Sequence, residues 1–421
     1  MPKIAIIGSG ISGLASAYFL KRKHDITLYE KEDRLGGHSR TVTVRHGDRI
    51  IPVDTGFIVF NERNYPNLTA LFSELKVPVK DSDMTYAMSV GDGEFEWGAQ
   101  DLNTIFGQRR NILRPSFYRL FGEVMRFNRA AEQQVTTNPT ISLGDLISSM
   151  GLSESFRQLY LLPMSGAIWS SPPNQMLAFP AKVFVDFFRN HGLLAMSGQP
   201  QWRTVDGGSR EYVSRIAAEL GDSVKTGCAA TSVRRDKDGI RVTDTTGATT
   251  SYDHVVFACH TDEALGLLAD ATSHEAGNLA AIRYQRNNAV LHRDPRFMPR
   301  RERCWASWNY KSDGKGNEPS VSVTYWMNRL QGIDRSYPLF VTLNPQSEVA
   351  ASDIFDRHVF HHPVFDAGAI RAQSVIAGMQ GQNNTWFCGA WMRHGFHEDG
   401  LHSALKVVSR LDCSPSWAVL D

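Results

Sequence analysis

Residues Lys3–Ser39 read KIAIIGSGISGLASAYFLKRKHDITLYEKEDRLGGHS, and this stretch decides the fold. Ile4–Ile7 is a short apolar run without polar interruption, the pattern of a parallel strand buried on both faces. Gly8-Ser9-Gly10-Ile11-Ser12-Gly13 follows at once, and Leu14–Leu20 reads as a helix. Each glycine has a physical task. Gly8 permits the tight turn, Gly10 lets backbone approach a pyrophosphate, and Gly13 lets the helix pack on the strand. The helix start at Ile11 and Ser12 adds free N–H groups and a positive dipole end. Ile26–Tyr29 is a second strand. It ends in Glu30, an acid about 20 residues past the first glycine and placed to accept from a ribose hydroxyl. A glycine-rich turn alone is a weak signal. Strand, turn, helix, strand and acid in this order specify a dinucleotide-binding unit.

The next residues narrow the nucleotide. Lys31 leads into Arg34-Leu35-Gly36-Gly37-His38-Ser39. With Glu30 this run resembles the E-x-x-x-R-x-G-G-[RH] stretch of flavoproteins of the amine-oxidase and phytoene-desaturase superfamily. The resemblance implies that the segment continues over the pyrophosphate of FAD. It also implies an α/β chain, with a Rossmann-like FAD-binding domain of the GR2 (amine-oxidase) type and an interleaved α+β substrate domain. The family's usual residue after the paired glycines is Arg, and His38 stands there instead. A fixed cation is lost, so the phosphate grip rests more on backbone N–H groups.

With 421 residues the chain is long enough for two domains with substantial cores. The expected division is 1–62, 200–275 and 370–421 for the cofactor, and 63–199 and 276–369 for the substrate. A net charge of +1 gives no global field for nucleic acid. Cys228, Cys259, Cys304, Cys388 and Cys413 are scattered and make no C-x-x-C pair, which argues against a disulfide framework or a zinc site. A first strand at residue 3 and the lack of a long apolar span read as a cytoplasmic protein.

Further along, Asp54-Thr55-Gly56-Phe57 is flanked by extended apolar residues. It reads as a hairpin turn or, by resemblance, as the D-x-G stretch that reaches the flavin ring. Tyr65–Val77 has helical spacing, and Met84–Trp97 reads as a strand pair around Gly91-Asp92-Gly93. From Leu102 to about Gly192 the pattern is mostly helical. Within it, Arg109–Arg129 carries six arginines around Leu113, Phe117, Leu120, Phe121 and Val124. That composition fits a core-facing helix with a solvated arginine face, or a helix resting on an anionic membrane. Pro115 is expected to break the stretch near its start. Leu161, Leu162, Met164, Ile168, Trp169, Phe179, Phe184, Phe187 and Phe188 either fill a core or line an apolar tunnel.

Trp202–Tyr212, with Gly207-Gly208, resembles the superfamily element that returns to the nucleotide domain. Val224–Ala258 then alternates as strands, with turns at Asp238-Gly239 and Thr246-Gly247. By register, the resemblance makes Val233 the residue that holds the adenine through its backbone. Ala281–Val349 reads as aromatic-rich strands interrupted by Asn287, Asn288 and His292. In the superfamily such a sheet walls the substrate cavity opposite the flavin.

Thr385–Ala390 is a last strand reaching Gly389. Glu398-Asp399-Gly400-Leu401 opens a helix running to about Leu411. This resembles the closing motif of FAD oxidases, in which Gly389 and Ala390 meet the pyrophosphate and Asp399, Gly400 and Leu401 meet the flavin edge. Asp399 also suits an N-cap, and Trp391 is expected against the ring system. Cys388 does not match the cysteine that carries flavin in some amine oxidases, so noncovalent FAD is expected. Gly91-Asp92-Gly93 and Gly314-Lys315-Gly316 lack a following helix, so no second nucleotide site is expected.

GGHSRTV (36–42), VDTGFIVFNERNYPNL (53–68), YLLPMSGAIWS (160–170), LHRDPRFMPRR (291–301), WASWNY (305–310) and CGAWMRHGFHEDGLHSA (388–404) also resemble one branch of the superfamily. That branch holds bacterial FAD proteins encoded beside cyclopropane-fatty-acyl-phospholipid synthases, and the flavoprotein region of plant cyclopropane synthases. The likeness implies a desaturase of methyl-branched phospholipid acyl chains, on the route to furan fatty acids. It also implies a possible lipid methyltransferase partner. The corresponding mechanism is hydride transfer from an acyl chain to flavin N5. His292 is then the first candidate base, Glu398 the second, and Tyr310 a positioning group. An amine oxidase, a carotenoid-type desaturase or isomerase, and a non-catalytic flavoprotein subunit are the alternatives.

Overall fold

The computed structural model describes residues 1–169, 176–190, 194, 200–237, 239–314 and 320–421, with backbone alone at 166–169 and 190. The side chains of Ile168 and Trp169, Asp238 of one expected turn, and Lys315-Gly316 lie outside that description.

Five parallel strands form the nucleotide sheet, in the order Val224–Lys225, Asp25–Tyr29, Lys3–Ile7, His254–Phe257, Thr385–Phe387. Ile4 and Ile6 pack into one apolar cluster, and Ala5 and Ile7 into another on the opposite face. This is why the run has no polar interruption. Helix Ile11–Leu20 lies on the first face with every residue buried except Tyr18. Helix His397–Arg410 packs beside it. The antiparallel strands Ala230–Asp236, Gly239–Asp244 and Thr249–Tyr252 supply apolar groups to the other cluster.

A seven-stranded sheet forms the second body, in the order Ile354–Val364, Arg283–His292, Phe340–Leu343, Val321–Trp326, Trp308–Ser312, Tyr86–Val90, Phe95–Gly98. Its two faces differ by sequence parity. Ala289, Leu291, Val341, Leu343, Val323, Tyr310, Met88 and Trp97 join the main core on the inner face. Val290 and Phe340 join small separate clusters on the outer face. The strand Ile354–Val364 was not among the sequence expectations.

The Arg109–Arg129 stretch is broken near its start at Pro115 as expected, with Arg114 extended before it. Pro115 takes the first turn of helix Pro115–Thr137, after a short 3-10 turn at Arg109–Leu113. Its missing N–H costs nothing there. Phe117, Leu120, Phe127, Ala131 and Val135 are buried, whereas Leu113 is exposed. Leu161, Leu162, Met164, Phe179, Phe184, Phe187 and Phe188 are all packed into the main core, so these residues are core in this structure.

Candidate cofactor site and the wall beside it

Gly8 has φ +99°, and a Cβ there would sit 2.8 Å from the Ala258 carbonyl. A Cβ on Gly13 would fall inside the Gly8 carbonyl. Around Gly10 no protein atom lies within 4 Å of the Cβ position. The space is open where the motif requires a ligand's phosphates. Gly36 N–H donates to the Ser9 carbonyl at 3.0 Å, which lays the second glycine loop over the first. Gly37 comes so close that its Cβ would lie 3.1 Å from Gly10 Cα. The two loops face each other through backbone alone, forming a cradle that fits a pyrophosphate.

Glu30 accepts from Ser9 N–H at 2.9 Å, Ser9 Oγ at 2.5 Å and Glu32 N–H at 2.9 Å. It therefore ties the phosphate loop to the second strand. Ser12 Oγ donates to the Gly400 carbonyl at 2.8 Å. Arg34 donates to the Gly37 carbonyl, and Lys31 pairs with Glu263 at the surface. Ile11 is buried against this contact: a Cβ on Gly400 would meet it at 2.8 Å and Ser12 Oγ at 3.0 Å. Gly400 is the crossing point of the first and last helices.

Thr55 N–H donates to the Arg40 carbonyl and Phe57 N–H to the His38 carbonyl, strapping the Asp54–Phe57 segment to the second loop. Gly56 leaves no room for a Cβ beside the His38 carbonyl. Phe57 stacks on His397 at 3.9 Å, and His397 Nε2 meets Ser39 Oγ and Tyr212 OH, each at 3.0 Å. Asp54 points away to the Gly207-Gly208 turn. It accepts from Ser209 N–H, Ser209 Oγ and Thr41 Oγ1, and burial pushes it up to about 6.

His38 sits among His260, Phe360 and His362, with ring centroids 5.0–6.3 Å apart. Burial, and then the neighbouring histidines, hold His38 well below the usual imidazole range. It is neutral, so the cradle offers phosphate its N–H groups and helix end rather than a cation. His38, Phe57, His260, His362 and His397 are each half-buried, so each keeps some surface free for a ligand. Arg40 and Asp356 meet at 2.6 and 3.0 Å and join the second loop to strand Ile354–Val364.

Several expected roles move. Trp391 is buried in the second apolar cluster and donates to the Cys259 carbonyl, which fixes the Gly389–Ala390 turn. Asp399 is not the N-cap. It is the third residue of the helix, in its first turn, and accepts from Phe396 N–H at 2.9 Å. Leu401 is fully buried core. Val233 is buried, and its carbonyl takes the Ala269 N–H. The residues that bond to Glu30 and Glu32 carbonyls are Cys228 and Gly227.

The catalytic candidates also change. His292 is fully buried on the outer face of the sheet, against Phe297 and Phe340. Nε2 meets Thr342 Oγ1 at 2.7 Å and Nδ1 accepts the Asp294 N–H at 3.1 Å, so both nitrogens are occupied. Strand parity turns it away from the cofactor loops. Glu398 accepts from Asn67 N–H, Asn67 Nδ2 and Leu68 N–H at 2.8–3.0 Å. It caps helix Pro66–Glu74 and is committed to three donors of that helix's first turn. Tyr310 lies on the inner wall as expected, buried, with its hydroxyl pushed upward by burial.

The polar group beside the cofactor loops is His362, which the sequence expectations passed over, held by Asn287, which they named. Asn287 is buried on the inner face and donates to His362 Nδ1 at 2.8 Å. Its own carbonyl accepts from Asn344 at 2.8 Å. Phe360 and His362 reach the His38 ring, and Phe360 would touch a Cβ on Gly56. The β-branched and aromatic residues Ile354, Phe355, Val359, Phe360 and Val364 were the available signal for this strand.

The fold and cradle together define a dinucleotide-binding protein with a second, sheet-walled body. The profile of the family described as flavin containing amine oxidoreductase matches residues 11–335, and the chain belongs to that family. That family is one of flavin-containing oxidoreductases. An L-amino acid dehydrogenase from Synechocystis is 25% identical over 259 residues, covering 58% of this chain and 52% of that protein. The chain spans about half the length of the curated relatives it matches. Among solved structures, a fatty acid isomerase from P. acnes superposes with a TM-score of 0.68 at 15% identity, over 97% of this chain and 98% of its own. A putative protoporphyrinogen oxidase from an Exiguobacterium species gives 0.70 at 14%, over 98% of each. At these identities the two structures speak for the fold alone.

Proposed function

We propose that the protein dehydrogenates a long apolar acyl chain, of the phospholipid class, and not an amine. One observation carries this reading: the inner wall is uncharged, and no buried carboxylate is left over for an ammonium. All nine buried carboxylates among the described residues already take the protein's own donors.

The wall itself suits a chain with an oxygen at one end. Three buried donors on it, Tyr86 OH, Trp97 Nε1 and Trp308 Nε1, have no hydrogen-bond partner. A buried donor left unsatisfied costs about 1–3 kcal/mol, which a carbonyl oxygen of an ester or acid relieves. Tyr86 and His362 stand five strands apart in the sheet, about 24 Å at the usual strand spacing. That separation matches an extended acyl chain rather than a small amine.

In this reading residues 1–62, 200–275 and 370–421 hold the cofactor, and 63–199 and 276–369 the substrate. Bound flavin supplies the hydride acceptor. His362, held by Asn287 as the neutral tautomer with its proton on Nε2, offers a hydrogen-bond donor at the cofactor end of the wall. Cofactor binding is noncovalent: Cys388 is buried beside Ser16, and burial pushes its thiol up to about 12. Acid precipitation should release the flavin into solution.

The deciding experiment is anaerobic mixing of the holoenzyme with lipid extract or with amines while flavin absorbance is followed. Bleaching by the lipid fraction is expected. Bleaching by amines alone would overturn the assignment.

A further inference from the structure

Nine large apolar side chains are exposed among the described residues, and five of them fall between positions 102 and 125: Leu102, Ile112, Leu113, Tyr118 and Met125. Leu113 is 86% exposed and Leu102 74%. The five form one surface. The Tyr118 ring lies 6.1 Å from that of Phe106, and its hydroxyl donates to the Ile112 carbonyl at 2.9 Å. Arg109 bonds the Phe106 carbonyl at 3.0 Å. Met125 follows Tyr118 by two turns on the same side of helix Pro115–Thr137.

The charge around this surface is one-sided. Residues 102–131 hold six arginines and a single carboxylate, Glu123. Glu123 is buried and already bound by Arg119 and Ser153. Arg109, Arg110, Arg119, Arg126 and Arg129 are exposed. The helix turns its other face, with Phe117, Leu120 and Phe127, into the core, so the exposed residues are not a displaced core stripe.

We infer that this surface docks on an anionic lipid bilayer. Exposed aliphatic groups among five exposed arginines, with the exposed carboxylates Glu94, Asp101 and Glu132 only at the borders, match the potential of an acidic leaflet and its headgroup layer. They are mainly aliphatic groups, whereas a protein interface centres on fitted aromatic and arginine anchors in pockets. No helix among the described residues is long and apolar enough to cross a membrane, so contact is with the surface. The inference concerns the bilayer and holds whatever the substrate.

The test is co-sedimentation of the holoenzyme with phosphatidylcholine vesicles, with and without phosphatidylglycerol. Binding is expected only with phosphatidylglycerol, and it should weaken as salt rises. Leu102→Ser with Leu113→Ser should lower the affinity about tenfold or more. Arg126→Gln with Arg129→Gln should lower it about fivefold per arginine. All four side chains are exposed, so flavin content should not change. Failure of the parent protein to sediment with anionic vesicles overturns the inference, as does equal binding by both double variants. A parent dimer that the leucine variant turns into a monomer also overturns it, in favour of a second copy of the chain.

Discussion

Asn287 donates its side-chain amide to Nδ1 of His362 at 2.8 Å, and Asn344 fixes which way that amide faces by donating to its oxygen. The chain of donors leaves His362 one tautomer, with the proton on Nε2. Burial pulls its pKa down to about 4, and His260 and His361 add to the shift. His362 is therefore neutral at working pH and acts as a donor. Its Nδ1 lone pair is spent, so it is not a free base. His362→Ala should keep bound flavin and slow anaerobic flavin reduction by about 10²–10³, the usual value of one well-placed donor. Asn287→Asp places a carboxylate beside the imidazole, raises its pKa, and should give the rate a new pH limb between about 4 and 7. Unchanged rates and pH profiles in both variants would remove His362 from the chemistry.

Gly10→Ala separates cofactor binding from folding. The backbone there has φ −64°, which alanine adopts freely, and the added methyl meets no protein atom within 4 Å. The variant should fold with parent stability and lose most of its flavin absorbance. A fully yellow variant would show that the pyrophosphate lies elsewhere.

The nucleotide half was legible because its signals are local. Glycines 8, 10 and 13, the buried strand before them and Glu30 after them all fall within thirty residues. The substrate half was not, because its decisive contacts are distant in sequence. Glu398 reads as an available acid until the fold brings Asn67 and Leu68 to it. His292 fails by parity. Leu291 faces the inner wall and His292 the outer, with a register irregularity between them that no residue type announces. His362 lies in a run, HVFHHPV, whose polarity hid a strand. Arg109–Arg129 met the expectation of a core-facing helix with a solvated arginine face.

His292 tests the corrected picture through pH. Burial lowers its pKa to about 4, against about 6.5 when unfolded. Between those values the unfolded chain binds a proton that the folded one refuses. Stability from this site is therefore complete above about pH 6.5 and falls as the pH drops towards 4. The span corresponds to about 3 kcal/mol. His292→Gln should flatten the acid side of the urea-unfolding stability profile by about that amount, while flavin reduction stays at the parent rate. A large loss of reduction rate in folded, yellow protein would restore His292 to the chemistry.

Tyr86 tests the substrate wall. Its hydroxyl is buried without a partner in the free protein, a state that costs about 1–3 kcal/mol. Burial also pushes its pKa upward, so the hydroxyl stays protonated and can only donate or be wasted. Tyr86→Phe removes the orphan group and keeps the ring that packs against Trp97. The variant should be as stable as the parent or more so. If the hydroxyl meets an acyl carbonyl, the same change should raise KM about 2–10-fold with kcat little altered, since the contact lies far from the reacting bond. Stability rises and KM rises together only if the group is idle in the free protein and used in the complex. A variant that is less stable with KM unchanged would mean that a resident water, not a substrate oxygen, is the partner of Tyr86.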